Sequence, residues 1–334
     1  MAEVGKEPIR DIAHLGAVEL FSPVPERTLW YFRDLLGMEV VHSSDRSAYL
    51  RGYGDYATST LKITAAERPG VGCVSWRAVS LPALERRVEA IKARGLGVGW
   101  IDGDFGRGPS FRFHDPDGHL MEIYHEETRY RAPDHLRSTL KNLPMKFTGR
   151  GVNVRRTDHL ALLAKDVAAN REFAQETLGF RLSEQVVFEG GTKEIGSWLS
   201  SSAVHHEVAY VVDIKGGNGR LHHFSLWVDN RDDVLRAADI FAENGVFIEA
   251  GPSRHNNSQA FYLYSREPGG NRIEVYSSSF LIMAPDWQTV VWNEEERGTG
   301  VYWGGALPAS FIEYATPDIA SSTPDQKVPA FPML

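Results

Sequence analysis

The chain has 334 residues, of which 42% are hydrophobic and 24% are charged, and its formal net charge is −8. This composition is typical of a globular protein with two domains or one large one, and the negative charge argues against nucleic-acid binding, which needs clustered Lys and Arg. No apolar stretch approaches the ~20 residues that cross a bilayer, and the first residues lack the apolar core of a signal peptide, so we expect a cytoplasmic protein. The one cysteine, Cys73, excludes an intramolecular disulfide and a thiolate metal cluster.

The first half of the chain predicts two consecutive units, each with a strand, an amphipathic helix and further strands. Gly37 and Gly95 stand where the two helices should end, because Gly readily adopts the left-handed backbone that closes a helix. The sequence Pro116-Asp117-Gly118 then favours a tight turn. In chain order, the predicted elements are a strand at 18–20, a helix at 26–36, a strand at 75–79, a helix at 81–94, and a hairpin with its closing strand at 115–124.

Three histidines, His114, His119 and His125, lie close to this first hairpin. Histidines at short spacing on a strand can mimic a metal site. Exposed turn histidines are the better explanation of this cluster, so we assign it no metal.

The second half of the chain repeats the same order of elements, which indicates an internal repeat. Gly179 and Gly245 again stand at the expected ends of two helices. The predicted elements are a strand at 159–163, a helix at 168–178, a strand at 224–228, a helix at 231–244, and a hairpin with its closing strand at 267–276.

Four repeated units, two in each domain, predict an α+β fold. The pattern breaks between about 137 and 151, so we place the first domain at 1–145 and the second at 146–285. The remaining residues, 286–334, form a tail rich in Trp, Pro and Ser that could act as a lid. From about Thr316 onwards, we expect this tail to be extended or mobile.

Three apolar runs that are typical of strands each contain a metal-capable side chain, which is His159 in the first, His222 or His223 in the second, and Glu274 in the third. Burying such side chains unpaired costs several kcal/mol, so a cation that joins them would explain all three. Two His and one carboxylate would form a facial triad with open positions, which suits non-haem Fe(II) and O₂ chemistry. His222 precedes His223, and neighbours on a strand point to opposite faces, so only one of the two should face the interior.

The repeated units and three further motifs resemble the vicinal oxygen chelate superfamily, and within it the two-domain extradiol catechol dioxygenases. The motifs lie at 220–224, 253–255 and 260–264 and are similar to those of the homoprotocatechuate 2,3-dioxygenase branch. The resemblance covers about residues 10–305. It implies two domains in which paired βαβββ units form a curled mixed sheet around a central cavity.

The resemblance implies that the second domain holds Fe(II), or Mn(II), through His159, His223 and Glu274. It also implies that the first domain has lost its metal site. The internal repeat supports this loss, because Glu122 is the counterpart of Glu274 while Ala17 stands where the first histidine should be. The counterpart of the second histidine is Cys73 or Val74.

The resemblance also implies roles for the residues around the metal. His205 is similar to the family's histidine that assists O₂ activation and proton transfer, although a longer loop leaves His206 as an alternative. His255 and Tyr264 correspond to residues that hydrogen-bond the substrate oxygens. Trp198 corresponds to a residue of the pocket wall.

Two departures from the homoprotocatechuate branch bear on the substrate. Ala250 stands where an arginine would bind a carboxylate, and Arg297 in the tail is a poor match to the other arginines. Ala161 replaces a polar residue beside the first ligand and leaves apolar room. Because a carboxylate would lose its guanidinium anchor, we predict a neutral catechol, unsubstituted or with alkyl, halogen or nitro groups.

The predicted activity is therefore meta-cleavage of a catechol by O₂, which gives a 2-hydroxymuconic-semialdehyde-type product. Two alternatives are a glyoxalase-type isomerase, which usually assembles four protein ligands, and a metal-free ligand-binding protein. The retained triad, together with His205, His255 and Tyr264, argues against the binding protein. By analogy with the family, we expect a homotetramer, and the choice between Fe and Mn stays open.

Overall fold

The computed structural model describes residues 10–297 and 300–319 and contains two mixed sheets. The first sheet has eight strands, ordered β2-β3-β4-β1-β5-β8-β7-β6. These strands are β1 (Ile12–Ser22), β2 (Glu39–Ser43), β3 (Ser47–Arg51), β4 (Leu61–Ala65), β5 (Gly70–Ala78), β6 (Gly97–Ile101), β7 (Ser110–His114) and β8 (Leu120–Tyr124).

The second sheet has ten strands, ordered β17-β10-β11-β12-β9-β13-β16-β15-β14-β18. Its inner eight strands repeat the order of the first sheet, and two short strands of the tail extend its edges. These strands are β9 (Arg156–Ala164), β10 (Arg181–Phe188), β11 (Lys193–Ser200), β12 (Val208–Val212), β13 (Leu221–Trp227), β14 (Phe247–His255), β15 (Phe261–Arg266), β16 (Arg272–Ser277), β17 (Val290–Trp292) and β18 (Val301–Trp303).

One helix follows the first strand of each repeated unit, so the four predicted βαβββ units are confirmed. The helices of the units are α1 (Pro25–Trp30), α2 (Leu81–Ala93), α3 (Val167–Glu172) and α4 (Arg231–Glu243), and two short helices of the tail are α5 (Glu294–Arg297) and α6 (Ser310–Glu313). Both α1 and α3 continue as π-helical turns, Tyr31–Leu35 and Phe173–Leu178, which the sequence pattern did not predict. None of the described helices is long and apolar enough to span a membrane.

The two long helices pack on their sheets through one apolar face each. Helix α4 buries Val234, Ala237 and Phe241, which are three and four residues apart and therefore lie on one side of the helix. The side chain of Asn230 accepts a hydrogen bond from the amide of Asp233 (3.0 Å) and caps the free N–H groups of its first turn. Helix α2 has the same arrangement. The spacing of apolar residues in the sequence therefore predicts the positions of both helices correctly.

The two domains contact each other through the hairpin that closes each sheet. In the first hairpin, His119 bonds to the Asp115 carboxylate (2.7 Å) and donates from Nε2 to the carbonyl of Arg220 (3.0 Å) in the second domain. In the second hairpin, Glu267 accepts a hydrogen bond from Thr28 (2.6 Å) in the first domain. The interpretation of His119 as an exposed turn histidine was wrong, because its side chain is 1% exposed and belongs to this interface.

The two sheets are joined by a linker between β8 and β9, and the predicted division at 145/146 falls within it. Residues 286–319 are part of the second sheet and its surroundings as far as the structure describes them. The expectation of an extended or mobile chain from Thr316 was wrong at its start, because Thr316 is 1% exposed and exchanges backbone hydrogen bonds with Leu221 (2.7 and 3.0 Å). Residues 320–334 lie outside the described residues.

The interface histidine gives a stability prediction. His119→Ala should lower the free energy of unfolding by about 2 kcal/mol or more, because Asp115 and the Arg220 carbonyl would stay buried without their partner. The measurement is urea unfolding followed by circular dichroism. The control is His114→Ala, which removes an exposed neighbour and should change stability by less than about 0.5 kcal/mol. Equal losses for both variants would contradict this account of the interface.

Candidate metal centre

Three central strands of the second sheet bring the predicted ligands together. Strand β13 lies between β9 and β16, and Ser225 on β13 is opposite both His159 and Glu274. His223 lies two residues before Ser225 and is paired with Ala161. Because side chains alternate along a strand, His159, His223 and Glu274 project from the same face of the sheet. Residues that are far apart in sequence thus meet on three neighbouring strands.

The three ligand atoms converge in a buried position. His159 Nε2 lies 2.9 Å from Glu274 Oε2, and His223 Nε2 lies 3.6 Å from the same oxygen. The two Nε2 atoms are 3.3 Å apart, and all three atoms lie within 4.8 Å of one another. Oε2 nevertheless receives no well-directed hydrogen bond from any described residue. Donor atoms that point at a common centre, rather than at each other, fit a divalent cation held by two imidazoles and a carboxylate.

The surrounding hydrogen bonds leave the inner nitrogen of His159 free to bind a metal. Its Nδ1 lies 2.7 Å from a carboxylate oxygen of Asp158, which can only accept, so Nδ1 carries the proton of the neutral ring. The lone pair is then on Nε2, which faces the other two ligands. A carboxylate behind a ligating histidine is a common arrangement in metal sites.

The same reasoning applies to His223 through its neighbour His222. The Nε2 atom of His222 donates to the carbonyl of Phe311 (2.8 Å), so its Nδ1 is an acceptor in the neutral ring. His223 Nδ1 therefore donates to His222 Nδ1 (2.7 Å), and its Nε2 is left with a lone pair. A register shift between Leu221 and His223 brings the two adjacent rings together, although simple alternation would separate them.

The charges of the site favour a cation. Burial opposes ionisation of Glu274, but the neighbouring His159 and His255 outweigh burial and hold its pKa well below 4.5. Burial lowers the pKa of His159, yet the two carboxylates beside it, those of Asp158 and Glu274, outweigh burial and raise the pKa to about 9, so a metal at Nε2 would take the place of a second ring proton. Burial also holds the pKa of His223 well below 6.5. The centre thus combines a buried carboxylate with a strong attraction for positive charge.

His255 and Tyr264 lie beside the triad, where the family resemblance would place them. His255 Nε2 lies 3.0 Å from the Tyr264 hydroxyl and 3.4 Å from Glu274 Oε1. The His255 ring stacks on Tyr262, with ring centroids 3.9 Å apart, and this contact fixes its orientation. Both polar groups line the same cavity as the three ligands.

Two of the three predicted pocket residues line the cavity. Ala161 and Trp198 form part of its wall, together with apolar residues such as Val186. Ala250 is different, because it packs behind the wall in a small cluster with Tyr264 and is not among the described lining residues. Register shifts on both sides of Ala250 turn this part of β14, which the sequence alignment of the repeats could not anticipate.

The structure places His206, rather than His205, at the cavity. The ring of His206 lies 4.0 Å from that of His159 and lines the cavity, whereas His205 is buried behind it and bonds to Glu184. Both histidines are in the irregular loop between β11 and β12. Strand alternation gives no guide there, so the sequence could not decide which ring faces inward.

The first domain shows what replaces a metal site. Its equivalent register pairs Ser75 with both Ala17 and Glu122, so these two residues are the counterparts of His159 and Glu274. Cys73, two residues before Ser75, takes the place of His223 by the same count. Glu122 accepts a hydrogen bond from Ser75 (2.7 Å) and is neutralised by two guanidinium groups, those of Arg107 (3.5 Å) and Arg112 (3.4 Å).

Residues 12–123 and 156–275 match the Glyoxalase/Bleomycin resistance protein/Dioxygenase superfamily. The chain is also 42% identical to a metapyrocatechase from Geobacillus stearothermophilus over 320 residues. This aligned region covers 95% of this chain and 97% of that protein. The chain belongs to the extradiol dioxygenases of this superfamily. The resemblance inferred from the sequence motifs is thereby confirmed.

A second relative agrees with this membership, and a solved structure has the same fold. A manganese-dependent 2,3-dihydroxybiphenyl 1,2-dioxygenase from Geobacillus genomosp. 3 is 36% identical over 299 residues, which span 88% of this chain and 94% of that protein. The solved structure of homoprotocatechuate 2,3-dioxygenase from Brevibacterium fuscum with 3,4-dihydroxyphenylacetate has a TM-score of 0.82 at 24% identity. The superposition covers 93% of this chain and 94% of the dioxygenase chain, and the two chains have the same fold.

Sequence reasoning missed the residues that support the site from behind. Asp158 was visible beside His159 but carried no assigned role. Glu184, Trp292 and Phe311 lie far from the ligands in sequence, and their contacts depend on how the loop and the tail pack. Glu184 stands between the polar residues Ser183 and Gln185 of β10, so nothing in the sequence singled it out.

The geometry predicts that Glu274, and not its first-domain counterpart, is needed for metal binding. With Mn(II) or anaerobic Fe(II) at about 100 times the dissociation constant, the wild-type protein should gain about 2.7 kcal/mol of stability. Glu274→Gln should lose most of this gain, because a neutral amide is a poor ligand for these cations. The measurements are thermal unfolding with and without metal and the metal content after gel filtration.

Glu122→Gln is the matched control, because it makes the same chemical change at the equivalent position of the first sheet. It should keep the metal-dependent gain even where it lowers the overall stability. Equal metal binding by Glu274→Gln and the wild type would contradict the assigned centre.

Proposed function

We propose that the protein is an extradiol ring-cleaving dioxygenase that acts on a neutral catechol with O₂ and uses Fe(II) bound by His159, His223 and Glu274. The observation that carries the proposal is a buried two-His, one-carboxylate centre that faces a cavity with further acid–base groups. When bound, the metal would supply coordination sites for a catechol and for O₂ and so hold the two reactants together. The product would be a 2-hydroxymuconic semialdehyde or an analogue.

The chain supplies orientation and proton transfer around the bound substrate. His255 and Tyr264 can hydrogen-bond one catechol oxygen, since their polar atoms meet beside Glu274. His206 lies on the side of His159 and is the group of this cavity best placed to accept and return a proton. Burial lowers its pKa well below 6.5, so the resting ring is neutral and can act as a base.

The cavity wall favours a neutral substrate over a carboxylated one. Among the described residues that line it, none is Arg or Lys, and much of the wall consists of Ala161, Trp198, Leu307 and similar side chains. A carboxylate on the ring would be desolvated there without a guanidinium partner. Glu274 is the only carboxylate among the described lining residues, and it is needed for the metal.

Manganese is the alternative metal, because the same ligand set accepts either ion and one relative is named as manganese-dependent. A glyoxalase-type isomerase would need a fourth protein ligand, and the group formed by the described residues has three. We further propose a homotetrameric cytoplasmic enzyme, as in the family, and sedimentation analysis of the purified protein would test the tetramer.

The substrate proposal predicts a clear order of activities. Metal-loaded protein should consume O₂ with catechol and form a yellow product near neutral pH. The value of kcat/KM for 3,4-dihydroxyphenylacetate should be at least about tenfold lower, since burying a charge without a partner costs more than 1.4 kcal/mol. Oxygen uptake and absorbance measure both reactions. Metal binding without O₂ uptake across a panel of catechols would disprove the proposed activity.

Tyr262 and Tyr264, two residues apart on β15, provide a test of substrate orientation. Tyr264→Phe should lower kcat about tenfold or more, because a hydrogen bond to the reacting oxygens is lost. Tyr262→Phe is the control, since Tyr262 stacks on His255 but does not belong to the described cavity lining. It should keep kcat within about twofold. Equal effects of the two substitutions would show that ring packing, rather than the Tyr264 hydroxyl, matters.

A further inference from the structure

A continuous line of hydrogen bonds runs from the tail, through the protein interior, to the cavity. The indole N–H of Trp292 donates to Glu184 Oε2 (2.7 Å), and Glu184 Oε1 lies 3.0 Å from His205 Nε2. His205 Nδ1 in turn lies 2.8 Å from His206 Nδ1. His206 lines the cavity next to His159. Glu184 and His205 each have a partner on either side, so they connect the tail to His206.

We propose that Glu184 and His205 form a hydrogen-bond relay that fixes the tautomer and the orientation of His206, so that the lone pair on Nε2 of His206 faces the cavity. The inference rests on the proposed dioxygenase function and adds two residues to it. Glu184 and His205 do not touch the substrate, so they are positioning residues. His206 is the group that would meet the substrate.

The hydrogen bonds determine which nitrogens carry protons at rest. The Glu184 carboxylate accepts, so His205 Nε2 carries the proton of its neutral ring and His205 Nδ1 is an acceptor. His206 Nδ1 must then donate to it. Nε2 of His206 is left with a lone pair, and it is the remaining nitrogen of a ring that lines the cavity. Glu184 thereby prepares His206 as a base through one intervening imidazole.

The tautomer matters for the reaction, because an imidazole accepts a proton only at the nitrogen that carries its lone pair. The 2.8 Å contact between His205 Nδ1 and His206 Nδ1 occupies one nitrogen of His206 and leaves Nε2 for the cavity.

The position of Glu184 supports a purpose beyond folding. It is a buried carboxylate on β10, opposite the cavity residue Trp198. A backbone carbonyl could accept the hydrogen bond of His205 at a smaller desolvation cost than a buried carboxylate. A charged acceptor makes the stronger hydrogen bond and therefore holds the tautomer of His205 more firmly. The ring of Phe280 packs against His205 (5.1 Å) and holds it in line.

The test compares Glu184→Gln with Glu207→Gln. Both replace a buried glutamate near His206 by its neutral isostere, but Glu207 bonds to the backbone of Ser201 and is outside the relay. In the metal-loaded enzyme, Glu184→Gln should lower kcat about 10- to 100-fold and leave KM for catechol within about threefold, whereas Glu207→Gln should keep both. Glu184→Asp should recover part of kcat.

The relay is disproved if Glu184→Gln keeps kcat within about twofold of the wild type, or if Glu207→Gln loses as much kcat as Glu184→Gln. These results would leave the proposed function intact, because that function fails only when the wild type cleaves no catechol.

Discussion

The whole site depends on the register of three neighbouring strands. With Ser225 of β13 placed between His159 and Glu274, the period of two along each strand turns all three ligands to one face. A shift of one residue in any of these strands would move a ligand to the opposite face of the sheet. The cost of three buried polar groups without a common partner is large, so this register and the cation support each other.

The internal repeat explains both the position of the centre and its absence from the first sheet. Ser75 and Ser225 occupy equivalent positions between the central strands, yet their neighbours differ. In the first sheet, Arg107 and Arg112 neutralise Glu122, and Ala17 offers no ligand. A carboxylate retained from the repeat therefore has guanidinium partners in one domain and two histidines in the other. The same backbone supports two solutions to the burial of one negative charge.

Much of the fold and the three ligands could be predicted because they follow periodic rules. Helix α4 follows from the helical spacing of its apolar residues, and the ligands on β9, β13 and β16 follow from the alternation of side chains along a strand. Turns at glycine and proline mark the boundaries between the repeated units. Prediction was weaker wherever the period breaks. His205 and His206 lie in an irregular loop, Ala250 lies between two register shifts, and His119 gains its role only when the two domains meet.

The tail contributes to the site in a way that no local pattern reveals. Phe311 accepts the hydrogen bond that fixes the tautomer of His222, and Trp292 holds Glu184. These contacts come from residues after the last repeated strand, so the tail, together with the sheet, determines which nitrogens face the cavity. The repeat determines which residues are the ligands. The segments packed around the repeat determine which ring nitrogens carry protons.

The most direct test of the central claim is anomalous diffraction from crystals grown with Fe(II) or Mn(II). We expect one strong anomalous peak in each chain, bonded to Nε2 of His159, Nε2 of His223 and a carboxylate oxygen of Glu274, and none beside Glu122. A metal bound elsewhere, or bound through His205 or His206 in place of one of these ligands, would contradict the account.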